Sequence, residues 1–240
     1  CLELRVEAGR PDTLDPDKLR VLHDCGVTRI SINPQTMDDR VLEIMGRSHT
    51  RWEILRAYDQ ALAAGHEDIN MDLIAGLPGD TAAGFAATME AVLALQPTSI
   101  TVHTLALKKG SYFLTHGREA LPDGESVGKM LAFAREALTG AGYGPYYMYR
   151  QKFMSGSFEN VGWTRPGREN LYNICIMEEL CGILALGAGG STKLTAPGGI
   201  VRRIMDPKYP REYMEHIEDV CAAKEQIVEF YQHHYPKQEV

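Results

Sequence analysis

The sequence predicts an α/β protein whose first half consists of parallel βαβ units. Two observations lead to this prediction: short apolar runs alternate with helical patterns up to about residue 104, and the connections between them are short. Beyond that point the alternation stops and the pattern becomes mixed. We therefore expect a partial parallel barrel or sheet over residues 1–110, and an α+β appendage that faces the substrate and ends in a helical tail over residues 111–240.

The elements of the first half follow from local signals. The expected strands are residues 2–6, 29–33, 69–74 and 99–104. Asp15 precedes a proline and is a suitable N-cap for the first helix. Thr50 and Glu53 form a capping-box pattern at the start of the second helix, and Asp80 or Thr81 begins the third.

The second half has a different composition of elements. A helical pattern is followed by an aromatic stretch that is typical of a strand, a glycine-rich segment, and an amphipathic helical tail. These patterns cover residues 125–139, 143–149, 187–191 and 210–235 respectively.

Composition and charge limit the possible function classes. The 240 residues are 44% apolar and 24% charged, which is ordinary for a globular domain and excludes a disordered or fibrous chain. No apolar run is long enough to span a bilayer. The net charge of -7 argues against nucleic-acid binding, because phosphate neutralisation needs clustered Lys and Arg. We expect a cytoplasmic protein with a small-molecule partner.

The cysteines indicate a reducing compartment. They are odd in number and far apart, and no CxxC or CxxxCxxC spacing occurs, so we expect free thiols and no metal ligands in this chain. They are Cys1, Cys25, Cys175, Cys181 and Cys221.

Polar residues lie at the carboxyl ends of the expected strands, where ligands bind in βα folds. Glu7 ends the first strand, Gln35 follows the second, Asp72 lies in the third, and His103 lies at the end of the fourth. Arg47 follows the helix after Gln35. Such a set suits a zwitterionic polar ligand, because carboxylates accept hydroxyls or an ammonium and arginine binds a carboxylate. Alternatively, Glu7 and Asp72 pair with neighbouring arginines or cap loops, and His103 is a satisfied strand-end histidine.

Seven segments stand in a characteristic order and spacing along the chain: VEAG (6–9), RISINPQ (29–35), GRSH (46–49), NMDLIAGLP (70–78), PYYMYRQK (145–152), ENVG (159–162) and YN (172–173). In combination they resemble the radical S-adenosylmethionine enzymes of the oxygen-independent coproporphyrinogen III oxidase family. The resemblance covers nearly the whole chain, and the later segments look like the HemZ coproporphyrinogen dehydrogenase branch.

The resemblance implies a partial (β/α)6 radical-SAM barrel, of which this chain would hold strands three to six, followed by the appendage. It also implies roles in binding S-adenosylmethionine. Glu7 would lie near the methionine amino group, Arg47 would pair with its carboxylate, Gln35 and Asp72 would bind the ribose hydroxyls, and Ile74 and Ala106 would flank adenine.

The family's second cofactor is a [4Fe-4S] cluster held by a CxxxCxxC loop. That loop and the first barrel strands are not in this sequence, so we expect the gene to encode them upstream. Without the three thiolates we expect the chain by itself to be catalytically inactive.

The reaction implied by the resemblance is anaerobic oxidative decarboxylation of coproporphyrinogen III to protoporphyrinogen IX in haem biosynthesis, with an electron donor and acceptor that the sequence does not identify. Basic residues would bind the substrate carboxylates, with a solvated surface as the alternative for each. The candidates are Arg150, Lys152, Arg165, Arg168 and Lys193.

A second function stays open, that of a haem chaperone or haem-binding protein of the same superfamily. Members of that group carry a His-Asn pair where this chain has Tyr172-Asn173. The absent histidine favours the enzyme. Other substrates, including a haem ring, also stay open.

Overall fold

A computed structural model describes residues 3–106, 121–150 and 158–235. The chain forms two compact units, residues 1–170 and 171–240. The sequence pattern changes near residue 110, but the boundary between the units falls after Asn170. The boundary lies later because the strands that follow residue 140 join the first sheet. The division of roles between barrel portion and appendage stays a prediction.

The first unit contains a six-stranded sheet in the order β1-β2-β3-β4-β6-β5. Strands β1 to β4 are parallel, and β6 runs antiparallel to both β4 and β5. The predicted α/β class is therefore confirmed. The strands are β1 Arg5–Gly9, β2 Arg29–Ile32, β3 Ile69–Ala75, β4 Ser99–Thr104, β5 Gly144–Tyr149 and β6 Asn160–Thr164.

Strand β1 starts later than the sequence predicts. The apolar run suggested residues 2–6, whereas the strand extends to Gly9 because its pairing with β2 runs from Arg5 opposite Arg29 to Gly9 opposite Ile32. Glu7 therefore lies in the middle of β1, not at its end, and that expectation was wrong.

Three of the five helices of this unit start where their caps predict. The Asp15 carboxylate accepts from the backbone N–H of Lys18, and the Thr50 hydroxyl and Glu53 carboxylate form a complete capping box. The Thr81 hydroxyl caps the next helix. The helices are α1 Pro16–Asp24, α2 Asp39–Ile44, α3 Arg51–Ala63, α4 Ala82–Leu95 and α5 Gly124–Gly140.

The two faces of the sheet differ in polarity because side chains alternate along each strand. One face carries apolar side chains, which are fully buried against the helices and form the main core. Each large apolar side chain buried in this way contributes about 1.5–3 kcal/mol. Examples are Ile30, Met71 and Ile100 from the sheet and Phe85 and Met130 from the helices.

The second unit pairs a two-stranded antiparallel sheet with helices. Leu194, Ile204 and Phe230 form its small apolar core. The tail was expected to be one helix over residues 210–235, but it breaks at His216, whose φ of -113° and ψ of 29° lie outside the helical range. The elements are α6 Leu171–Met177, β7 Ser191–Ala196, β8 Ile200–Met205, α7 Pro210–Glu215 and α8 Ile217–His234.

In the described ranges, none of the helices has the length and apolar character needed to cross a membrane.

Candidate functional site

The face of the sheet opposite the core is polar. Register places Asn70 beside Ser99, Asp72 beside Thr101, and Ile74 beside His103 on β3 and β4. Four of these side chains are joined by hydrogen bonds. Because the same face of β2 carries Ser31 and that of β6 carries Asn160 and Thr164, the polar surface extends across the sheet.

Asn70 orients the carboxylate of Asp72. Its amide nitrogen donates to Asp72 Oδ1 at 2.7 Å, while its carbonyl oxygen accepts from the hydroxyls of Ser99 at 3.0 Å and Thr101 at 3.4 Å. The acceptor and donor of the amide are both used, so Asn70 is held in one orientation. Asp72 Oδ1 is thereby fixed, and Oδ2 points toward His103.

The Asp72 side chain is only 18% exposed. Burial by itself would raise the pKa of this carboxyl, but His103, Asn70 and Thr101 together lower the pKa below its ordinary value. Asp72 is therefore an ionised, half-buried carboxylate at neutral pH. It pairs with a histidine and an amide rather than with a neighbouring arginine.

Gln35 lies directly beside Asp72. Its backbone N–H donates to the Asp72 carbonyl at 3.0 Å, and its own carbonyl accepts from the Ile74 N–H at 3.0 Å. The φ of Gln35 is 68°, a left-handed conformation that is unfavourable for a residue with a side chain. Such strain persists where the surroundings impose it and is common at functional sites. The structure thus brings the backbones of Gln35 and Asp72 together, with Gln35 paired opposite Leu73.

Glu7 is exposed and belongs to a local cluster on β1 and β2. Its carboxylate forms an ion pair with Arg5 and accepts from Ser31 Oγ at 3.3 Å and Asn33 Nδ2 at 3.4 Å. The pairing with a neighbouring arginine, one of the two alternatives considered from sequence, is therefore present.

Arg47 follows α2 and is half-buried. The next residue, Ser48, donates to Asp12 Oδ2 at 3.2 Å and accepts from Arg10 at 2.5 Å, in the turn after β1. This contact holds the Arg47 loop at the carboxyl ends of the strands. Within the described part of the chain, the Arg47 guanidinium has no carboxylate within ion-pair distance.

The turn that anchors this loop has its own charge pair. Arg10 binds Asp12 through two parallel hydrogen bonds, Nε to Oδ1 at 3.0 Å and Nη2 to Oδ2 at 2.6 Å. Hydrogen bonding to Arg10 lowers the pKa of Asp12 to about 2. Nearby, burial lowers the pKa of His49, which is therefore neutral at pH 7.

Two tyrosines on β5 complete the polar face, and sequence reasoning gave them no role. Tyr149 Oη lies 3.1 Å from His103 Nδ1, and Tyr147 Oη lies 3.3 Å from Thr101 Oγ1. Their rings are parallel, 6.3 Å apart. The i, i+2 spacing in the aromatic stretch was the available signal, because it puts both rings on one face of a strand.

Gly162 makes room for Tyr147. A Cβ at position 162 would lie 1.8 Å from the nearest ring carbon of Tyr147, so the ring rests directly on the glycine backbone. Any larger residue would displace the ring from the polar face.

Ile74 and Ala106 are both half-buried. Ile74 lies opposite His103, and Ala106 follows the end of β4. Both are apolar and lie at the carboxyl-end edge of the sheet, which suits contact with an adenine ring. That role stays a prediction.

The basic residues proposed for substrate carboxylates are scattered. Arg150 follows β5 at the carboxyl-end edge and pairs with Glu159 at 3.0 Å. Arg165 and Arg168 follow β6 at the opposite edge, since β6 ends opposite the start of β4. Lys152 lies outside the described residues.

Lys193 belongs to the second unit and is buried there. Its Nζ donates to the carbonyl of Ile176 at 2.6 Å and to Glu179 Oε1 at 3.3 Å. The ammonium therefore holds the end of α6, and a role in binding substrate stays a prediction.

The pattern of the Radical SAM superfamily matches residues 3–92. The chain contains a radical SAM domain. It is 40% identical over 229 residues to the oxygen-independent coproporphyrinogen-III oxidase-like protein HemZ of Bacillus subtilis (strain 168), covering 95% of this chain and 46% of that protein. It is also 31% identical over 175 residues to the heme chaperone HemW of the same strain, covering 72% of this chain and 43% of that protein. The chain spans about half the length of the curated relatives it matches.

Among solved structures, coproporphyrinogen III oxidase (HemN) of Escherichia coli, described as a radical SAM enzyme, superposes with a TM-score of 0.70. It is 19% identical, and the match covers 90% of this chain and 49% of that one. This likeness confirms the fold of the radical SAM domain, a mixed α/β partial barrel.

The residues at the carboxyl-end edge of the sheet have the chemistry to fit the groups of S-adenosylmethionine, the compound from which the superfamily takes its name. An ionised carboxylate at Asp72, a guanidinium at Arg47 and apolar positions at Ile74 and Ala106 match hydroxyls, a carboxylate and a purine. A [4Fe-4S] cluster is different. Across residues 3–106, 121–150 and 158–235, no three Cys, His, Asp or Glu side chains converge as metal ligands.

Proposed function

We propose that this chain supplies the S-adenosylmethionine-binding face of a radical enzyme that oxidatively decarboxylates a porphyrinogen. The observation that carries the proposal is the fixed, ionised carboxylate of Asp72 on a polar face beside the strained Gln35, at the edge where the Arg47 loop is anchored. Parallel sheets of α/β proteins bind ligands at this edge.

The proposed roles follow the chemistry of each side chain. Asp72 and Gln35 accept and donate at the ribose hydroxyls, and Arg47 forms a paired hydrogen bond with the methionine carboxylate. Glu7, whose side chain is exposed, receives the ammonium group in exchange for its partner Arg5. Ile74 and Ala106 contact the adenine ring.

When bound, S-adenosylmethionine supplies the 5′-deoxyadenosyl radical that removes a hydrogen atom from a propionate side chain of the substrate. The residues of this chain bind and orient the nucleoside, and the half-buried position of Asp72 limits the access of water. Loss of carbon dioxide and one electron from the substrate leaves a vinyl group, and an electron acceptor outside this chain takes the electron.

Coproporphyrinogen III is the proposed substrate because the relative that is 40% identical is named as coproporphyrinogen-III oxidase-like. Its carboxylates need cations. Arg150 is the candidate with the best position, since it follows β5 at the carboxyl-end edge and is exposed.

A haem chaperone is the second candidate, because several relatives carry that name at 26–31% identity. Tyr172 stands where that group has a histidine, and it is half-exposed on α6. A phenol can bind iron, so the substitution weakens this candidate without removing it.

The test is anaerobic incubation of the whole protein that carries this chain, with a reconstituted cluster, S-adenosylmethionine, a reductant, an electron acceptor and coproporphyrinogen III. Mass spectrometry is expected to detect 5′-deoxyadenosine together with a porphyrinogen that has lost carboxyl groups. D72N is expected to lose both products, and D17N, a matched change on the exposed face of α1, is expected to keep them.

Two other results would change the conclusion. Stoichiometric haem binding without any 5′-deoxyadenosine would favour the chaperone. Formation of 5′-deoxyadenosine with an unaltered porphyrinogen would keep the reaction class and reject the substrate.

A further inference from the structure

The imidazole of His103 lies between Asp72 and Tyr149 on the polar face. Its Nδ1 is 3.1 Å from Tyr149 Oη, within hydrogen-bond distance. Its Nε2 is 3.6 Å from Asp72 Oδ2, which is too long for a direct hydrogen bond. One ring nitrogen therefore has a partner within hydrogen-bond distance, and the other does not.

The Tyr149 contact bears on which nitrogen of the ring carries a hydrogen. With the phenol hydroxyl as the donor to Nδ1, a ring with one hydrogen carries it on Nε2. Tyr149 is itself held in place, because its ring is parallel to that of Tyr147, which rests on Gly162. The Nε2–H donor is thus directed toward the Asp72 carboxylate.

At 3.6 Å the two atoms are too close for an oxygen to lie between them, but a hydroxyl beside the pair can reach both. A hydroxyl oxygen about 2.8 Å from both Nε2 and Oδ2, to one side of the line joining them, would donate to the carboxylate and accept from the imidazole. Asp72 Oδ1 is already occupied by Asn70, so the ligand's hydroxyl is directed to the Oδ2 side.

We infer that His103 is a further binding residue of this site, which donates from Nε2 to the same ribose hydroxyl that donates to Asp72. The inference rests on the proposed function, since it takes the ribose of S-adenosylmethionine as the ligand group at Asp72. The ionised Asp72 carboxylate can only accept a hydrogen bond. The added donor at His103 therefore selects a ligand group that both donates and accepts, as a hydroxyl does.

The test measures binding of three probes to the whole protein by calorimetry: S-adenosylhomocysteine and its 2′-deoxy and 3′-deoxy analogues. For H103A, affinity for S-adenosylhomocysteine is expected to fall about 3- to 10-fold, as for the loss of one hydrogen bond. For the analogue that lacks the bridging hydroxyl, the same substitution is expected to change affinity less than about 2-fold, because that bond is already missing.

A pair of conservative variants separates the two sides of the ring. The amide nitrogen of H103Q reaches as far as Nε2, so this variant is expected to retain most of the affinity. The shorter amide of H103N reaches only the Nδ1 position beside Tyr149, and it is expected to bind as weakly as H103A. Circular dichroism of all variants checks that the sheet is intact.

An equal loss for all three probes would mean that His103 only supports the sheet, and the inference would fall. Unchanged affinity in H103A with a strong loss in D72N would reject the inference and leave the proposed function in place. If the wild-type protein binds none of the probes, both are rejected.

Discussion

The turn that anchors the Arg47 loop offers a quantitative test, the substitution Asp12→Asn. Asparagine keeps the size of the side chain but removes the charge that binds Arg10 through two hydrogen bonds. We expect the radical SAM domain to lose stability at pH 7 and the Arg47 loop to loosen, because the amide keeps only one acceptor oxygen for the hydrogen bonds from Arg10 and Ser48.

The pKa of Asp12 sets the magnitude. At 1.36 kcal/mol per unit, a fall from the ordinary 3.8 to about 2 corresponds to at most about 2.5 kcal/mol. The Asp12 side chain is 24% exposed and its partner 43% exposed, so solvent screening reduces this to about 1–1.5 kcal/mol. Because the folded-state pKa is depressed, this stabilisation is complete above about pH 4 and is lost as the pH falls toward about 2.

Urea unfolding followed by tryptophan fluorescence measures the loss of stability in the first compact unit, because both tryptophans, Trp52 and Trp163, lie within residues 1–170. The difference between wild type and D12N should narrow between pH 6 and pH 3. The matched control is D17N, whose ion pair with Arg20 is exposed, and it should cost about 0.5 kcal/mol or less. Equal effects of D12N and D17N, or a difference that does not depend on pH, would show that the Arg10–Asp12 pair does not stabilise the domain.

Two further substitutions test how the site and its supporting helices are built. Gly162→Ala should destabilise the first unit by about 1–3 kcal/mol and alter the near-ultraviolet dichroism of Tyr147, because the added methyl overlaps the ring. The control is Gly124→Ala, which should not change the stability, because no heavy atom lies within 4 Å of the new Cβ. An undisturbed dichroism spectrum in the first variant would contradict this packing. Thr50→Ala removes the N-cap of α3 and should lower the free energy of unfolding by about 1 kcal/mol in urea, and no change would mean that Glu53 alone caps the helix.

Local signals made much of the fold predictable. Caps such as Asp15, Thr50 and Thr81 act within three residues of the chain, so their patterns can be recognised without a structure. The alternation of short strands and helices likewise implies parallel pairing, because only a crossover helix can connect neighbouring parallel strands. The placement of Asp72 within β3 followed from the same alternation.

Long-range register could not be predicted in the same way. The start of β1 depends on where it pairs with β2, and the role of Tyr149 depends on β5 joining the sheet through β6. Each of these pairings joins residues that are distant in sequence and leaves no local pattern. The contact of Tyr147 with Gly162 and the link from Ser48 to Asp12 were unpredictable for the same reason.

The proposed function requires that S-adenosylmethionine binds at the carboxyl-end edge of the sheet through Asp72 and Arg47. Calorimetry of S-adenosylhomocysteine binding to the whole protein, with R47A, D72A and the control D17N, tests it most directly. We expect R47A to weaken binding by roughly 2–5 kcal/mol, since the ligand carboxylate is left unpaired, and D72A by roughly 1–3 kcal/mol. D17N should bind like wild type. Wild-type affinity in both R47A and D72A would mean that Arg47 and Asp72 do not bind the ligand and have a purely structural role.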